Sequence, residues 1–238
     1  MAKLSKTNKK QPESAKLMED PNALREKLTS TEEFLETNRK WVFLIGGAIV
    51  VLITAFFGFK YYVDKQNSVA QVNMFQAQYF FEADSLSKAL NGDGNSYGFL
   101  EIIDEYPMTE AANLAHFYSG VSFLKLGEYE DAISHLKKFK AKDLLLQARA
   151  YALIGDAYME LENYSESAKY YSRASNYKPN KFFTPTYLMK GALANELNGD
   201  KKAAVKNLET LINEFGDSEY INEAKRELAR LNGELSSK

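Results

Sequence analysis

The sequence offers few side chains for acid–base or metal chemistry, and its two histidines, His116 and His135, are the first to consider. Neither has a histidine close by in the sequence, and the chain contains no cysteine. Zinc and facial-triad iron sites need several converging ligands. We therefore expect His116 to pack within an apolar helix and His135 to lack a histidine or cysteine companion, so that no metal site forms.

The run Asn91–Asn95, NGDGN, alternates oxygen-bearing side chains as the start of a calcium-binding loop does. An EF-hand loop needs glycine at its sixth position and a bidentate acid at its twelfth. Those positions hold Ser96 and Ile102. The run therefore predicts a loop between helices rather than a calcium site.

Motifs of nucleophilic catalysis and phosphate binding lack their required context in this sequence. One G-x-S-x-G run occurs, GNSYG at Gly94–Gly98, but it falls in the loop predicted between helices rather than between a strand and a helix. The sequence has no glycine-rich phosphate loop and no histidine-paired nucleophile. The acids Glu128, Glu130 and Asp131 fall at a predicted turn, where water would solvate them. The sequence predicts a protein that is not an enzyme and uses no cofactor, and an enzyme with a hidden site stays as a competitor.

Residues Trp41–Phe59 carry no charged side chain and are apolar almost throughout. As a helix rising about 1.5 Å per residue they would extend over roughly 28 Å, close to the hydrocarbon thickness of a bilayer. A cleaved signal peptide would end in small residues, whereas KYYVDK follows here. Aromatic residues at both ends suit the two membrane interfaces. The stretch predicts a transmembrane helix.

Cations flank this predicted anchor unevenly. Residues 1–40 carry nine lysines and arginines against seven acids, and only Lys60 and Lys65 follow closely on the other side. The positive-inside rule then predicts a cytoplasmic N-terminus, with the residues after about 64 on the other side of the membrane. From residue 64 onward, twenty cations stand against twenty-five acids. This acidic balance argues against nucleic acid as a partner.

The tail before the anchor is predicted to be partly disordered, because its first nineteen residues hold few large apolar side chains. A short amphipathic helix is expected after Asp20–Pro21. Ser30 and Glu33 form a capping-box pattern that favours a helix leading into the anchor. The tail either solubilises the chain beside anionic headgroups or docks a partner.

Beyond residue 95 the sequence repeats itself. The segment Gly120–Leu136, GVSFLKLGEYEDAISHL, aligns with Gly155–Tyr171, GDAYMELENYSESAKYY, and a third copy begins at Gly191. A period near 35 residues is typical of helical solenoids, whose units cannot bury their apolar faces alone. Helical spacing of the apolar residues predicts two antiparallel helices in each copy, with glycine where the pair approaches closely.

These positions resemble the tetratricopeptide repeat, which has small residues at two helix crossings, a tyrosine in the turn and a proline near the end. The middle copy, counted from Ala148, matches best, through Gly155, Tyr158, Tyr164, Ser167, Tyr171, Ala174 and Pro179. The resemblance covers roughly residues 96–231. It implies an all-α chain in which a single transmembrane helix precedes a tetratricopeptide-repeat α-solenoid.

The predicted domains follow in chain order: a cytoplasmic tail at 1–40, the transmembrane helix at 41–63, a linking helix and loop at 64–95, and the solenoid with its C-terminal capping helix at 96–238. One aromatic cluster of the linking helix is expected to pack on the first repeat: Phe75, Tyr79, Phe80 and Phe81. Asp217 or Ser218 is expected to cap the last helix, whose apolar stripe closes the array.

The resemblance also implies a concave groove lined by the first helix of each repeat. The expected partner-binding residues are Leu124, Lys125, Arg149, Asp156, Met159, Glu160, Leu188, Asn195 and Glu196. This mixture of apolar side chains and both charge signs suits an extended or helical peptide better than a small anion. The Lys and Asn of the carboxylate-clamp subclass are absent from the matching positions, so recognition of a C-terminal carboxylate is not expected.

The whole layout resembles the YfgM-type ancillary subunit of the bacterial Sec translocon. The resemblance rests on the anchor entry EEFLETNRKWVFLIGG and on the first array helix, YPMTEAANLAHFYSG. It implies a non-enzymatic interaction module beside the translocon channel subunits, working with a PpiD-type membrane-anchored chaperone on newly exported polypeptides. The alternative is a general cell-envelope scaffold in outer-membrane assembly or division.

Overall fold

The structure is a computed structural model that describes residues 25, 29, 31–33 and 35–237. The tail helix expected after Asp20–Pro21 and the Ser30 capping box lie outside the described residues. The chain divides into two units, residues 1–61 and residues 62–238.

Residues 39–237 form ten helices and contain no strand, which confirms the all-α prediction. In chain order the helices are α1 Arg39–Glu82, α2 Leu86–Asn91, α3 Phe99–Glu105, α4 Glu110–Leu126, α5 Tyr129–Lys138, α6 Leu146–Glu160, α7 Tyr164–Asn176, α8 Thr184–Leu197, α9 Lys201–Glu214 and α10 Ile221–Ser236.

Helix α1 is long enough and apolar enough to cross a membrane. Its most apolar eighteen-residue window has a mean hydropathy of 2.6, and none of that window is buried. Trp41, Phe43 and Leu52 are each about two-thirds exposed. Water solvates such a surface poorly, whereas lipid chains solvate it well. These features support a single membrane anchor.

The second half of α1 packs against the helices that follow it. Its small side chains Ala70 and Ala77 are fully buried, in a core shared with Phe99 and Ile102. Phe81 contacts the rings of Phe99 and Tyr118 edge-on. The α1 segment after residue 62 is therefore an integral part of the first helical layer.

The expectation that the whole aromatic cluster of α1 packs on the first repeat is only half right. Phe80 and Phe81 do pack against the first core. Phe75 and Tyr79 are 70% and 59% exposed, because they lie on the opposite face of the helix. Helical spacing separates the four rings into an inner pair and an outer pair.

Three helix pairs follow, α4–α5, α6–α7 and α8–α9, and glycine sits where each pair comes closest. A Cβ atom built at Gly120 would lie 2.4 Å from Cγ of Leu136. One at Gly155 would lie 2.8 Å from the ring of Tyr171. Any side chain at these positions would overlap its neighbour. The predicted role of the repeated glycines is confirmed.

Helix α10 closes the last pair. Its inner side chains Ala224 and Leu231 are buried in one core with the side chains of α8 and α9. The helix begins at Ile221 after Tyr220, which makes no side-chain capping bond. The cap expected from Asp217 or Ser218 is therefore wrong, since both residues precede the helix by more than one position.

Candidate protein-interaction surface

The first helices of the second and third pairs, α6 and α8, enclose a cavity of about 350 Å³. Its wall combines apolar and charged side chains: Leu145, Leu153, Phe183, Arg149, Asp156 and Lys190. Leu145 and Phe183 are each nearly half exposed, so apolar surface is accessible to a ligand. We name this the upper groove cavity.

A second cavity, of about 390 Å³, lies between α8 and α10. Its wall includes Leu193, Glu196, Glu223, Glu227 and Arg230. Leu193 is 51% exposed, so this lower groove cavity also offers apolar surface, here with an acidic rim. Lys190 lines both cavities. The two cavities therefore meet along α8.

A hydrogen-bond network crosses the upper groove cavity. The carboxylate of Asp156 accepts from Lys190 Nζ at 2.7 Å and from the Tyr171 hydroxyl at 2.6 Å. Burial and the nearby Asp156 carboxylate raise the pKa of Tyr171 well above its usual range, so the hydroxyl stays a donor. The network joins α6, α7 and α8 and neutralises the charge of Asp156.

A charged cluster stiffens the lower groove cavity in the same way. The guanidinium of Arg230 donates to Glu196 of α8 at 2.7 Å and to Glu227 of its own helix at 2.7 Å. Hydrogen bonds to Glu196, Glu227 and Glu234 raise the pKa of Arg230. Because most groove charges are paired inside the protein, the groove presents apolar patches between ion pairs, which suits a polypeptide better than a small ion.

The helix pairs match known repeats. Residues 148–181 match a tetratricopeptide repeat model, and residues 114–143 and 186–218 match a second tetratricopeptide repeat model. This chain contains tetratricopeptide repeats. Tetratricopeptide repeats indicate a protein–protein interaction module. No match is found among curated proteins.

The array brings some of the predicted groove residues together. Arg149 and Asp156 line the upper groove cavity, and Glu196 lines the lower one. Leu188 and Asn195 line instead a larger cleft between α7 and α9, on the side formed by the second helices. Leu188 is only 6% exposed and therefore offers little surface to a ligand.

The other predicted residues lie outside both cavities. Lys125 donates to Asp84 at 2.8 Å, and Glu160 accepts from the Tyr129 hydroxyl at 3.4 Å. The half-buried Leu124 and Met159 pack against cores of the array. These four side chains contribute to intramolecular contacts between helices and repeats.

Sequence reasoning missed several groove residues of the array. Leu145 and Phe183 precede their helices, and Lys190 and Leu193 occupy α8 positions other than those that the repeat pattern marks. A signal existed in the apolar runs DLLL and KFF, which stand just before the first helices. From these runs, Leu145, Leu146 and Phe183 line the upper groove cavity.

The outer face of α1 is a second exposed surface of the 62–238 unit. Val72, Phe75 and Tyr79 recur at helical spacing and are 74%, 70% and 59% exposed. No charged residue occurs between Gln66 and Phe81. A contiguous apolar face without charges is typical of a protein interface rather than of a water-facing helix.

The two histidines do meet, which corrects the expectation that His135 lacks a companion. Their Nδ1 atoms lie 3.1 Å apart, because the α4–α5 hairpin folds one helix onto the other. Burial first, and then the charge of His135, lowers the pKa of His116 to about 4, and burial also lowers the pKa of His135. One neutral ring donates to the other.

The histidine pair lacks the ligands of a metal site. Within the residues that the structure describes, no group of three or more His, Cys, Asp or Glu side chains could hold a metal ion. The charged groups that act on the pair are Asp104, Asp131 and Lys138. The arrangement is a hydrogen-bonded packing contact whose neutral state the fold favours.

The NGDGN run forms a loop stabilised by its own aspartate. Oδ1 of Asp93 accepts from the backbone N–H groups of Asn95 at 3.0 Å and Ser96 at 2.8 Å. These bonds lower the pKa of Asp93. The Asp93 oxygen that would be a calcium ligand in an EF-hand loop accepts backbone hydrogen bonds within the turn. This arrangement is the one expected for a loop between helices.

Proposed function

We propose that this chain is a membrane-anchored, non-catalytic interaction module of the bacterial Sec translocon. One observation carries the proposal: a tetratricopeptide array with an accessible groove on a chain whose helix α1 is apolar enough to span a membrane. In the proposed arrangement the N-terminus is cytoplasmic, and the array stands on the periplasmic side of the inner membrane. The excess of cations before the anchor supports this orientation.

The groove ligand that we propose is an extended segment of a newly exported polypeptide. Such chains expose apolar side chains of varied sequence before they fold. The two groove cavities offer separate apolar contacts at Leu153 and Leu193. Between them lies Lys190, whose ammonium is paired with Asp156 and has further N–H groups to donate to a backbone carbonyl. Low sequence selectivity suits a site built mainly from apolar patches.

The charge-free face of α1 has a different proposed partner: a helix of a PpiD-type chaperone anchored in the same membrane beside the channel subunits. A partner that leaves the same membrane meets this face first, since the face begins soon after the apolar stretch ends. Val72, Phe75 and Tyr79 would supply the apolar contact. The groove then stays open for the exported chain.

Affinity purification of the tagged protein from gently solubilised native membranes, followed by mass spectrometry, tests the proposal. We expect translocon channel subunits and a membrane-anchored peptidyl-prolyl isomerase among the recovered proteins. Photo-crosslinkers at Leu153 and at Val72 assign each partner to a surface. Recovery of an outer-membrane-assembly or division complex in their place would contradict the translocon role and favour a general envelope scaffold.

Charge reversal in the groove provides a matched comparison. Arg149→Glu alters the wall of the upper groove cavity, whereas Lys202→Glu makes the same change on the exposed side of α9, away from both groove cavities. We expect Arg149→Glu to lower the crosslinked yield of exported polypeptide about three- to tenfold, which corresponds to the 0.7–1.4 kcal/mol of a modest interface contact. Equal yields for both variants would contradict the groove assignment.

A further inference from the structure

Three loops of the array expose large apolar side chains at equivalent places. Met108, Leu144 and Phe182 follow α3, α5 and α7, and each stands just before the first helix of a repeat. They are 69%, 42% and 74% exposed. Their spacing follows the repeat period, so the array places them in register along one edge.

Hydrogen bonds between successive loops hold this edge together. Asn113, in the first turn of α4, donates to the carbonyl of Lys140 at 2.8 Å and accepts from its N–H at 2.9 Å. The Tyr177 hydroxyl donates to the carbonyl of Ala141 at 3.2 Å. Each loop is thereby tied to its neighbour, and the exposed side chains share one side of the array.

The same edge lies beside residue 62, at the start of the 62–238 unit. Tyr62, three residues after Phe59, lines a small cavity together with Tyr106 and Met108. Asn67 accepts from the N–H of Ala111 at 2.9 Å, at the start of α4. At the other end of α4, the Lys125–Asp84 ion pair marks the opposite edge. The exposed loops thus belong to the edge next to residue 62.

Exposed lysines lie beside two of the three apolar tips. The loops that carry Leu144 and Phe182 contain four exposed lysines: Lys140, Lys142, Lys178 and Lys181. No acid occurs between Tyr177 and Met189. The side chain of Asp143, the acid nearest to Leu144, accepts from two backbone N–H groups. Acids also lie at this edge, because Glu214, Asp217 and Glu219 line one cavity with Lys181 and Phe182.

We propose that this edge rests on the bilayer surface. Met108, Leu144 and Phe182 enter the headgroup region, and the four lysines contact anionic lipid headgroups. Exposed apolar tips with lysines beside them suit the interface of an anionic membrane, where the apolar side chains enter the headgroup region and the ammonium groups meet the lipid anions. The edge lies next to residue 62, close to the predicted anchor. Docking on the bilayer therefore restricts only a very short connecting segment, and its cost in conformational entropy is small.

Bilayer docking would fix the direction of the groove, because the start of every first helix would then face the membrane. A polypeptide bound at Leu153 and Leu193 would run parallel to the bilayer surface. This inference rests on the membrane anchor of the proposed function and adds a second, lipid-binding surface to it.

Quenching by brominated lipids tests the proposal on the full chain. The protein is reconstituted in phosphatidylcholine–phosphatidylglycerol vesicles whose acyl chains carry bromine near the headgroups. In the unaltered chain, the single tryptophan, Trp41, reports insertion of the anchor. In a Trp41→Phe background, Phe182→Trp reports the docking edge. Leu197→Trp, at the far end of α8 and about 20 Å away, is the matched control.

We expect brominated lipid to reduce the fluorescence of Trp41 and of Phe182→Trp by about half, and to leave Leu197→Trp nearly unchanged. Adding Lys178→Glu and Lys181→Glu should abolish quenching at position 182, because these changes reverse the charge facing the anionic lipid. Quenching of Trp41 without quenching of Phe182→Trp and Leu144→Trp would overturn the docking edge and leave the anchor intact. An unquenched Trp41 would overturn the anchor as well.

Discussion

Replacement of Gly120 by alanine should destabilise the array, although alanine is the better helix former. The added Cβ atom would lie 2.4 Å from Cγ and 2.9 Å from Cδ2 of Leu136, a side chain that is 1% exposed. Ordinary carbon contacts lie at roughly 3.5–4.0 Å. Either Leu136 leaves its rotamer or α4 and α5 separate.

The two opposing effects can be given magnitudes. Alanine in place of a helical glycine contributes about 1 kcal/mol of stability, whereas an overpacked core costs about 1–3 kcal/mol. A contact more than 1 Å too short belongs at the upper end of that range. We expect Gly120→Ala to lower the free energy of unfolding by about 2 kcal/mol.

Gly233→Ala is the matched control, because Gly233 lies in helix α10 with no other atom within 4 Å of an added Cβ. Here only helix propensity acts, and we expect a gain of about 0.5–1 kcal/mol. Urea denaturation of the solubilised full chain, followed by far-ultraviolet circular dichroism, measures both changes. The reasoning is wrong if Gly120→Ala stabilises the chain as Gly233→Ala does.

A double-mutant cycle tests the contact itself. Leu136→Ala alone should cost about 2–5 kcal/mol, because it leaves a cavity in the core. Combined with Gly120→Ala, the new methyl group occupies part of that space, so the loss should fall short of the sum by at least about 0.5 kcal/mol. If the two changes in free energy add exactly, the methyl group added at position 120 does not contact the Leu136 side chain.

Two further perturbations address charged and titrating groups. Burial keeps the pKa of His116 at about 4, against 6.5 for an unburied histidine, so the unfolded chain takes up the proton first. The contribution of the neutral His116 to the free energy of unfolding should therefore be fully present above pH 6.5 and should be lost as the pH drops towards 4. In the variant His116→Gln, urea titrations at several pH values should show a weaker dependence of the free energy of unfolding on pH. The same pH dependence in the variant and the unaltered chain would contradict this role of His116. Asp156→Asn removes the ion pair with Lys190 and should lower the free energy of unfolding by about 1–2 kcal/mol in the same assay. An unchanged urea midpoint would show that this ion pair does not stabilise the fold.

Local patterns predicted the helices well, because helical periodicity and close-packing glycines act within one repeat. Gly120 and Gly155 could be assigned to the helix crossings from the sequence, since the need for a small residue at a crossing recurs in every copy. The unbroken helix through residues 62–82 likewise follows from its composition. These features depend on neighbours along the chain.

The groove and the histidine contact were harder to predict, because both depend on the rotation of one helix relative to another. The companion of His135 is nineteen residues away and meets it only when the α4–α5 hairpin closes. On α8, the buried Leu188 and the exposed Leu193 lie about 140° apart around the helix axis, so the rotation of α8 in the array decides which of them lines the groove. The sequence pattern fixes each helix face to within about one residue, which is too coarse to assign every groove side chain.

The closest approach within each helix pair has a consequence for folding fidelity. The glycines at the three helix crossings, Gly120, Gly155 and Gly191, each face a side chain sixteen residues later. The three partners differ: they are Leu136, Tyr171 and Asn207. Similar repeats risk exchanging helices during synthesis, and a helix docked on the wrong glycine would bring a side chain of the wrong shape and polarity. The three repeats share one fold but differ in this glycine contact. The difference therefore favours packing of each helix against its own partner in the same repeat.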